Sequence, residues 1–220
     1  SRSCPASSSG TSTAVSAELV IDLPTDLPAD LVPLSWLLGV WEGTGVLEYD
    51  AQGRTMSGEF SHRVSFSHDG GDALNYSATA WFEDADGNRT DLVAETGYWR
   101  LSRPATEADA GPALLPALAP RSEPRSVHDV EELRTEAGGF EITVALVHSD
   151  GISELYLGQV RGPRIDIATD AIVRPAGAKE YASATRMYGL VDGHLLWAWD
   201  VAALGSALSS HASARLAKVQ

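Results

Sequence analysis

From Gly39 to the C-terminus the chain alternates apolar and polar residues in short runs, and the junctions include the tight links HDGGDA, EDADGN, HSDG, RGP and VDGH. Alternation with period two marks a strand with one buried face, and short links of Gly and Asp join antiparallel neighbours. A parallel sheet would need crossover helices, and no segment offers one. The runs fall near Trp41–Tyr49, Phe60–Ser67, Ala73–Phe82, Leu92–Leu101, Phe140–His148, Ile152–Val160, Arg164–Ile172, Ala182–Val191, Leu195–Val201 and His211–Val219. Strands in series make a meander with two unpaired edges, which closure of the sheet on itself removes. The expected fold is all-β, a ten-stranded antiparallel up-and-down β-barrel. Eight strands are just filled by side chains or hold one small ligand, so ten leave a cavity for a compact apolar molecule.

The flanking text has a different period. In ADLVPLSWLLG, Leu31, Leu34, Leu37 and Leu38 lie at helical spacing, with Asp30 as a candidate N-cap and Gly39 as a stop. This predicts one short N-terminal amphipathic helix. Residues 1–28 are small, polar and proline-rich, and read as a disordered tail ahead of a barrel domain at 29–220. Residues from about 103 to 136, rich in Ala, Pro and charge, read as an inserted loop in one hairpin, either a tolerated surface excursion or a lid.

Charge narrows the partners. Sixteen basic against thirty acidic residues give a formal charge of −14, which repels phosphate backbones and anionic head groups. No nucleic acid and no membrane are expected as partners, and no apolar run approaches the roughly 20 residues that cross a bilayer. The single cysteine, Cys4, excludes a disulfide scaffold and a multi-Cys metal site, and with no secretory apolar segment the expected compartment is the cytoplasm. A monomer and a weak homodimer are both open.

No Walker loop, His-Glu-x-x-His or Gly-x-Ser-x-Gly occurs. Gly39, Trp41, Gly43 and Gly45 alternate along a strand, where glycine permits close packing or a bend. Of six histidines, His68, His148 and His194 lie at strand ends beside turns, as solvated or turn-bonding groups do, and His62 alternates with Phe60, Val64 and Phe66. No two have a spacing that makes a metal pair on one strand. His211, in LSSHASARL, stands among Ser210, Ala212, Ser213 and Ala214, whose small side chains leave room above the imidazole. It is either an ordinary polar residue or the single protein ligand of a flat metal-bearing group.

The segments GVWEGTG (39–45), FSHDG (66–70), AETGYWR (94–100), LVHSDGISELYLG (146–158), GAKEY (177–181), RMYGLVDG (186–193) and SSHASARL (209–216) occur in the order found in the nitrobindins, which this chain resembles over roughly residues 30–219. Nitrobindins are calycin-like barrels shaped like fatty-acid-binding proteins. The resemblance implies one haem b per chain with His211 as proximal axial ligand of the iron, and binding of nitric oxide. It also implies isomerisation of peroxynitrite to nitrate, which makes His211 the expected catalytic residue as well. It further offers Lys179 as a partner for a haem propionate, the alternative being a solvated lysine beside Glu180. The family's Tyr-Pro-Thr is not matched: Tyr49 is followed by DAQGRTMSGEF, and Thr55 is left unassigned. Two other readings compete with the enzyme, a haem-free carrier of an apolar small molecule and a haem-based nitric oxide sensor.

Overall fold

The computed structural model describes residues 27–51, 54–120 and 125–220. Cys4 and nearly all of the expected tail lie outside the described residues. Eleven antiparallel strands follow one short helix: β1 (Gly39–Ala51), β2 (Arg54–Ser67), β3 (Ala73–Glu83), β4 (Arg89–Asp91), β5 (Glu95–Leu101), β6 (Phe140–His148), β7 (Ser153–Arg161), β8 (Arg164–Val173), β9 (Tyr181–Val191), β10 (His194–Ala203) and β11 (Ser209–Lys218). Their order around the sheet is β2-β1-β11-β10-β9-β8-β7-β6-β5-β3-β4, and β2 also pairs with β3. That pairing closes a ten-stranded barrel. The three-residue β4, which falls between two of the expected runs, extends only the end of β3.

The segment after Tyr49 is a long hairpin: β1 and β2 stay in register from Gly39↔Phe66 to Ala51↔Arg54. Trp41, Gly43, Gly45, Leu47 and Tyr49 share one phase of β1, and Gly45 is needed there for space. A Cβ at Gly45 would stand 2.4 Å from the Ser213 carbonyl oxygen and 2.6 Å from Phe60 Cζ.

The N-terminal helix, Ala29–Leu37, is 3₁₀ rather than α, with Pro33 inside it. Its leucines explain this, because Leu31, Leu34 and Leu37 recur every three residues, the 3₁₀ repeat, and all three are fully buried. Asp30 is not the N-cap: Pro28 holds that position, and Asp30 lies buried in the first turn, 3.6 Å from an Arg125 nitrogen. Trp41 Nε1 donates to the Leu37 carbonyl at 2.7 Å and ties the helix to β1. Because the helix precedes β1, it packs over the barrel end where β1 begins.

The segment between β5 and β6 is anchored at both ends. Arg103 donates to Asp109 at 2.6 and 2.7 Å and to Asp72 at 3.0 Å. Helix α1 (Val127–Glu131) opens on a capping box between Ser126 and Asp129, buries Val130 and packs on the 3₁₀ helix.

Candidate functional site

The end of the barrel away from the 3₁₀ helix opens into a cavity of about 460 Å³, within the usual range of small-molecule sites. Leu92, Val93, Leu204 and Ser206 surround its mouth, and none of the described residues between β5 and β6 lines it. The described part of the inserted segment is therefore not placed as a lid.

Both residues singled out from the sequence line this cavity. Lys179 is exposed at the mouth, between β8 and β9, and its carbonyl accepts from Arg174 Nη1 at 3.1 Å. His211 is partly buried near the start of β11, and simple alternation does not put it there. Ala212, Ala214 and Leu216 form alternating buried positions, with Ala212 adjacent to His211. A register shift resolves the conflict: Trp199 pairs with Ala212 but Asp200 pairs with Ser210, so His211 is the extra residue of a β-bulge. A bulge re-aims a side chain that the pleat would send elsewhere.

The imidazole packs between two rings, with centroids 5.6 Å from Tyr49 and 5.6 Å from Trp199, the latter edge-on at 86°. Among the described residues neither ring nitrogen has a hydrogen-bond partner. Burial pushes its pKa below the ordinary histidine value, with no charged neighbour opposing. His211 is thus neutral near pH 7 and keeps a lone pair for a metal. Beside it, Trp199 Nε1 is buried with no hydrogen-bond partner.

Deeper in the cavity lies a charge network that the sequence reading did not identify. Arg186 on β9 donates to Glu95 on β5 through Nη1 at 2.7 Å and Nη2 at 2.8 Å, to Glu154 on β7 at 3.2 Å, and through Nε to the Tyr156 hydroxyl at 3.0 Å. His148 Nε2 lies 2.8 Å from Glu154 and 3.4 Å from Glu95. Tyr76 donates to Glu95, and Tyr156 and Tyr181 donate to Glu154. Arg186 also stacks over Trp199, 4.2 Å from the ring centroid.

The electrostatics follow from burial and pairing. Burial pushes the Glu95 carboxyl up, but the Arg186 guanidinium, with His148 and Tyr76, overrides it and holds the group at about 2. Burial opposes ionisation of Glu154 as well, and His148 and Arg186 lower it. For His148 burial lowers the pKa, and Glu154 and Glu95 raise it above the ordinary value. With His148 protonated, as it is below its raised pKa, two carboxylates, one guanidinium and one imidazolium sum to zero charge inside the barrel. Glu95, His148 and Glu154 have ligand atoms within 4.8 Å of one another, as a metal site would. Arg186 already neutralises both carboxylates, so the cluster is an ion-pair network.

His62 has the opposite environment. It is 7% exposed, and its Nδ1 accepts from Trp197 Nε1 at 3.0 Å. Burial lowers its pKa to about 4, with Glu95 opposing.

The histidines at strand ends thus divide. His68 Nδ1 accepts from the Gly70 amide and His194 Nδ1 faces the Asp192 carbonyl, as turn-bonding groups do. His148 is buried instead, because the following turn folds over it: its amide donates to the Ile152 carbonyl and Ile152 is buried. A signal for the network does exist in the sequence. Arg186 stands in phase with Ala184 and Tyr188, and Glu154 with Ile152 and Tyr156, so each charge sits in the apolar phase of its strand. Charges there are buried and must be paired.

The family model for the THAP4-like, heme-binding beta-barrel domain matches residues 30–218. A peroxynitrite isomerase of Leifsonia xyli is 61% identical over 190 residues, covering 86% of this chain and 94% of that protein. A peroxynitrite isomerase of Clavibacter michiganensis is 57% identical over 189 residues, with the same coverage of 86% and 94%. Among solved structures, Rv2717c from M. tuberculosis superposes with a TM-score of 0.62 at 26% identity, covering 90% of this chain and all of that one.

Proposed function

The chain belongs to the family of THAP4-like, heme-binding β-barrel domains, and we propose that it is a haem-dependent peroxynitrite isomerase that also binds nitric oxide. The observation that carries the reading is His211, an imidazole turned into the cavity by a bulge, uncharged and with no hydrogen-bond partner among the described residues. The residues fit a haem group. A neutral imidazole is a good axial ligand, the adjoining Trp199 Nε1 is an orphaned buried donor, and Lys179 stands at the mouth where a propionate would emerge. We assign one haem b per chain, with His211 as its proximal ligand and Lys179 as the propionate partner.

When bound, ferric haem would supply a Lewis-acidic iron for peroxynitrite or nitric oxide. The chain's own contribution is positional. Tyr49 and Trp199 fix the plane of the His211 ring, which sets the direction of its lone pair. Phe60, Ala78, Ala80, Phe82 and Leu92 make a wall that offers no proton to a reacting anion. Lys179 places a cation at the mouth, against the repulsion that a net charge of −14 exerts on an anionic substrate.

The carrier reading is less well supported, because four charged groups stand in or behind the interior wall and Arg186, the cation that would hold an acid head group, is committed to Glu95 and Glu154. With β2 paired to β3 no full-length edge strand is left open among the described residues, which supports a monomer or weak homodimer, and we place the protein in the cytoplasm. Among the described residues no helix is long and apolar enough to cross a membrane.

The test is an absorption spectrum of the protein reconstituted with haemin. A Soret band that shifts with nitric oxide and is lost in His211→Ala supports the assignment. Identical spectra in wild type and variant overturn it.

A further inference from the structure

His211 is the extra residue of the bulge between β10 and β11, so no ladder partner fixes its direction, and among the described residues no hydrogen bond holds its ring. Metal-ligating histidines are ordinarily oriented by a hydrogen bond from the second ring nitrogen. Here packing against Tyr49 and Trp199 takes the place of that bond. Trp199 has no hydrogen bond of its own to orient it, since its Nε1 is buried without a partner. Something else must hold the indole.

Arg186 is the group closest to it. The two residues are direct partners across β9 and β10, and Trp199 in turn stands opposite Ala212, the neighbour of His211 on β11. The guanidinium carbon lies 4.2 Å from the Trp199 ring centroid, inside the range of a cation–π contact. On its other flank the indole stands at 86° to the imidazole, with centroids 5.6 Å apart. Trp197 and His148 also meet the indole, with ring centroids at 6.4 Å. The plane of the guanidinium is fixed from elsewhere in the barrel. Its Nη1 and Nη2 hold Glu95 of β5 at 2.7 and 2.8 Å, Nη2 reaches Glu154 of β7 at 3.2 Å, and Nε donates to the Tyr156 hydroxyl at 3.0 Å.

We propose that Arg186 is a positioning residue for His211 and acts through Trp199: the paired guanidinium holds the indole, and the indole holds the imidazole in one orientation. The buried network then serves the cavity as well as the stability of the barrel. A planar guanidinium lies flat on an indole, whereas an ammonium is a point charge, so Arg186→Lys keeps the charge and loses the stacking. The choice of haemin as a probe rests on the haem reading proposed above. The ring contacts do not depend on it.

Two measurements on the full chain test this. The first is made without haem and follows the ring resonances of His211 in protein labelled with carbon-13 histidine, assigned by their absence in His211→Ala. No hydrogen bond or cation–π contact joins Arg186 to His211 among the described residues, so Arg186→Lys, with Trp199 still present, reaches the ring only through the indole. The expected result is that the His211 resonances shift and broaden while those of His68 and His194, at the turns, stay in place. Unchanged His211 resonances overturn the proposal. Should Arg186→Lys not fold, Tyr156→Phe, which removes the acceptor of Nε and leaves every charge in place, is expected to act in the same direction. The second measurement is a haemin titration. Arg186→Lys and Trp199→Leu each weaken binding roughly tenfold or more, as loss of an outer partner of a metal-ligating histidine does, and Trp199→Phe keeps most of the affinity. In His211→Ala the same substitutions have little further effect, because the ring they position is gone. An effect as large in His211→Ala as in the wild type marks a merely structural role and overturns the proposal. If His211→Ala itself leaves haemin binding unchanged, the haem assignment fails, and the haem-free resonances still decide whether Arg186 positions the ring.

Discussion

Replacing Arg186 by Met tests whether the interior network holds the barrel together. The side chain is 2% exposed and is paired to two carboxylates, Glu95 at 11% and Glu154 at 0% exposure. Removing one partner of a buried pair typically costs about 3–5 kcal/mol, because the other charge is left uncompensated. Glu95 gives a second measure: a carboxyl held at about 2 instead of 4.5 prefers its ionised form by about 3 kcal/mol, at 1.36 kcal/mol per pKa unit. The two routes agree. For a domain of this size each kcal/mol lowers the melting temperature by about 2–4 °C, so Arg186→Met should melt roughly 6–20 °C below wild type at pH 7. In the wild type Glu95 has a depressed pKa, and its contribution is present above the unfolded value and lost as pH falls toward 2. In the variant burial dominates and raises that pKa, so protonation relieves the folded state and the gap to wild type narrows between pH 7 and pH 5. Adding Glu95→Gln and Glu154→Gln should restore much of the loss, since neutral partners carry no unpaired charge. Scanning calorimetry of the single and triple variants at both pH values measures all of this. A single variant that melts within about 2 °C of wild type, against the 2–4 °C expected per kcal/mol, would refute the reasoning.

His148 titrates with the opposite sign: its folded pKa is raised, so its contribution is complete below the unfolded value of 6.5 and is lost as pH rises through the folded one. Melting temperature should therefore decline on the alkaline side, and His148→Gln should flatten that decline in a pH series of thermal melts. Gly45→Ala should destabilise by about 1–3 kcal/mol, because the new methyl meets the Ser213 carbonyl and the Phe60 ring; urea titration reads the loss as a lower midpoint at unchanged slope. Lys179→Met should lower haem affinity by a small factor, of the size of an exposed ion pair at about 0.2–1 kcal/mol, while the Soret position is kept. A haemin titration distinguishes this from the loss of axial ligation expected for His211→Ala.

What the sequence determined by itself is what depends on local order. Alternation in phase with the pleat, tight Gly and Asp turns and the glycines of β1 specify antiparallel neighbours, because each acts over a few residues, and the closed barrel follows from having ten such strands. The spacing of Leu31, Leu34 and Leu37 already held the 3₁₀ repeat, although it also reads as α-helical. What only the tertiary structure decided concerns strands that meet across the sheet. His211 faces the cavity because β10 and β11 slip by one residue at Trp199, and such a slip is a property of two strands paired with each other. His148 ends a strand as His68 does, yet it is buried and paired, because Glu95 and Glu154 reach it from β5 and β7 and Arg186 from β9 compensates them. Burial of a charge is settled by the partners that surround it, and those partners come from segments far apart along the chain.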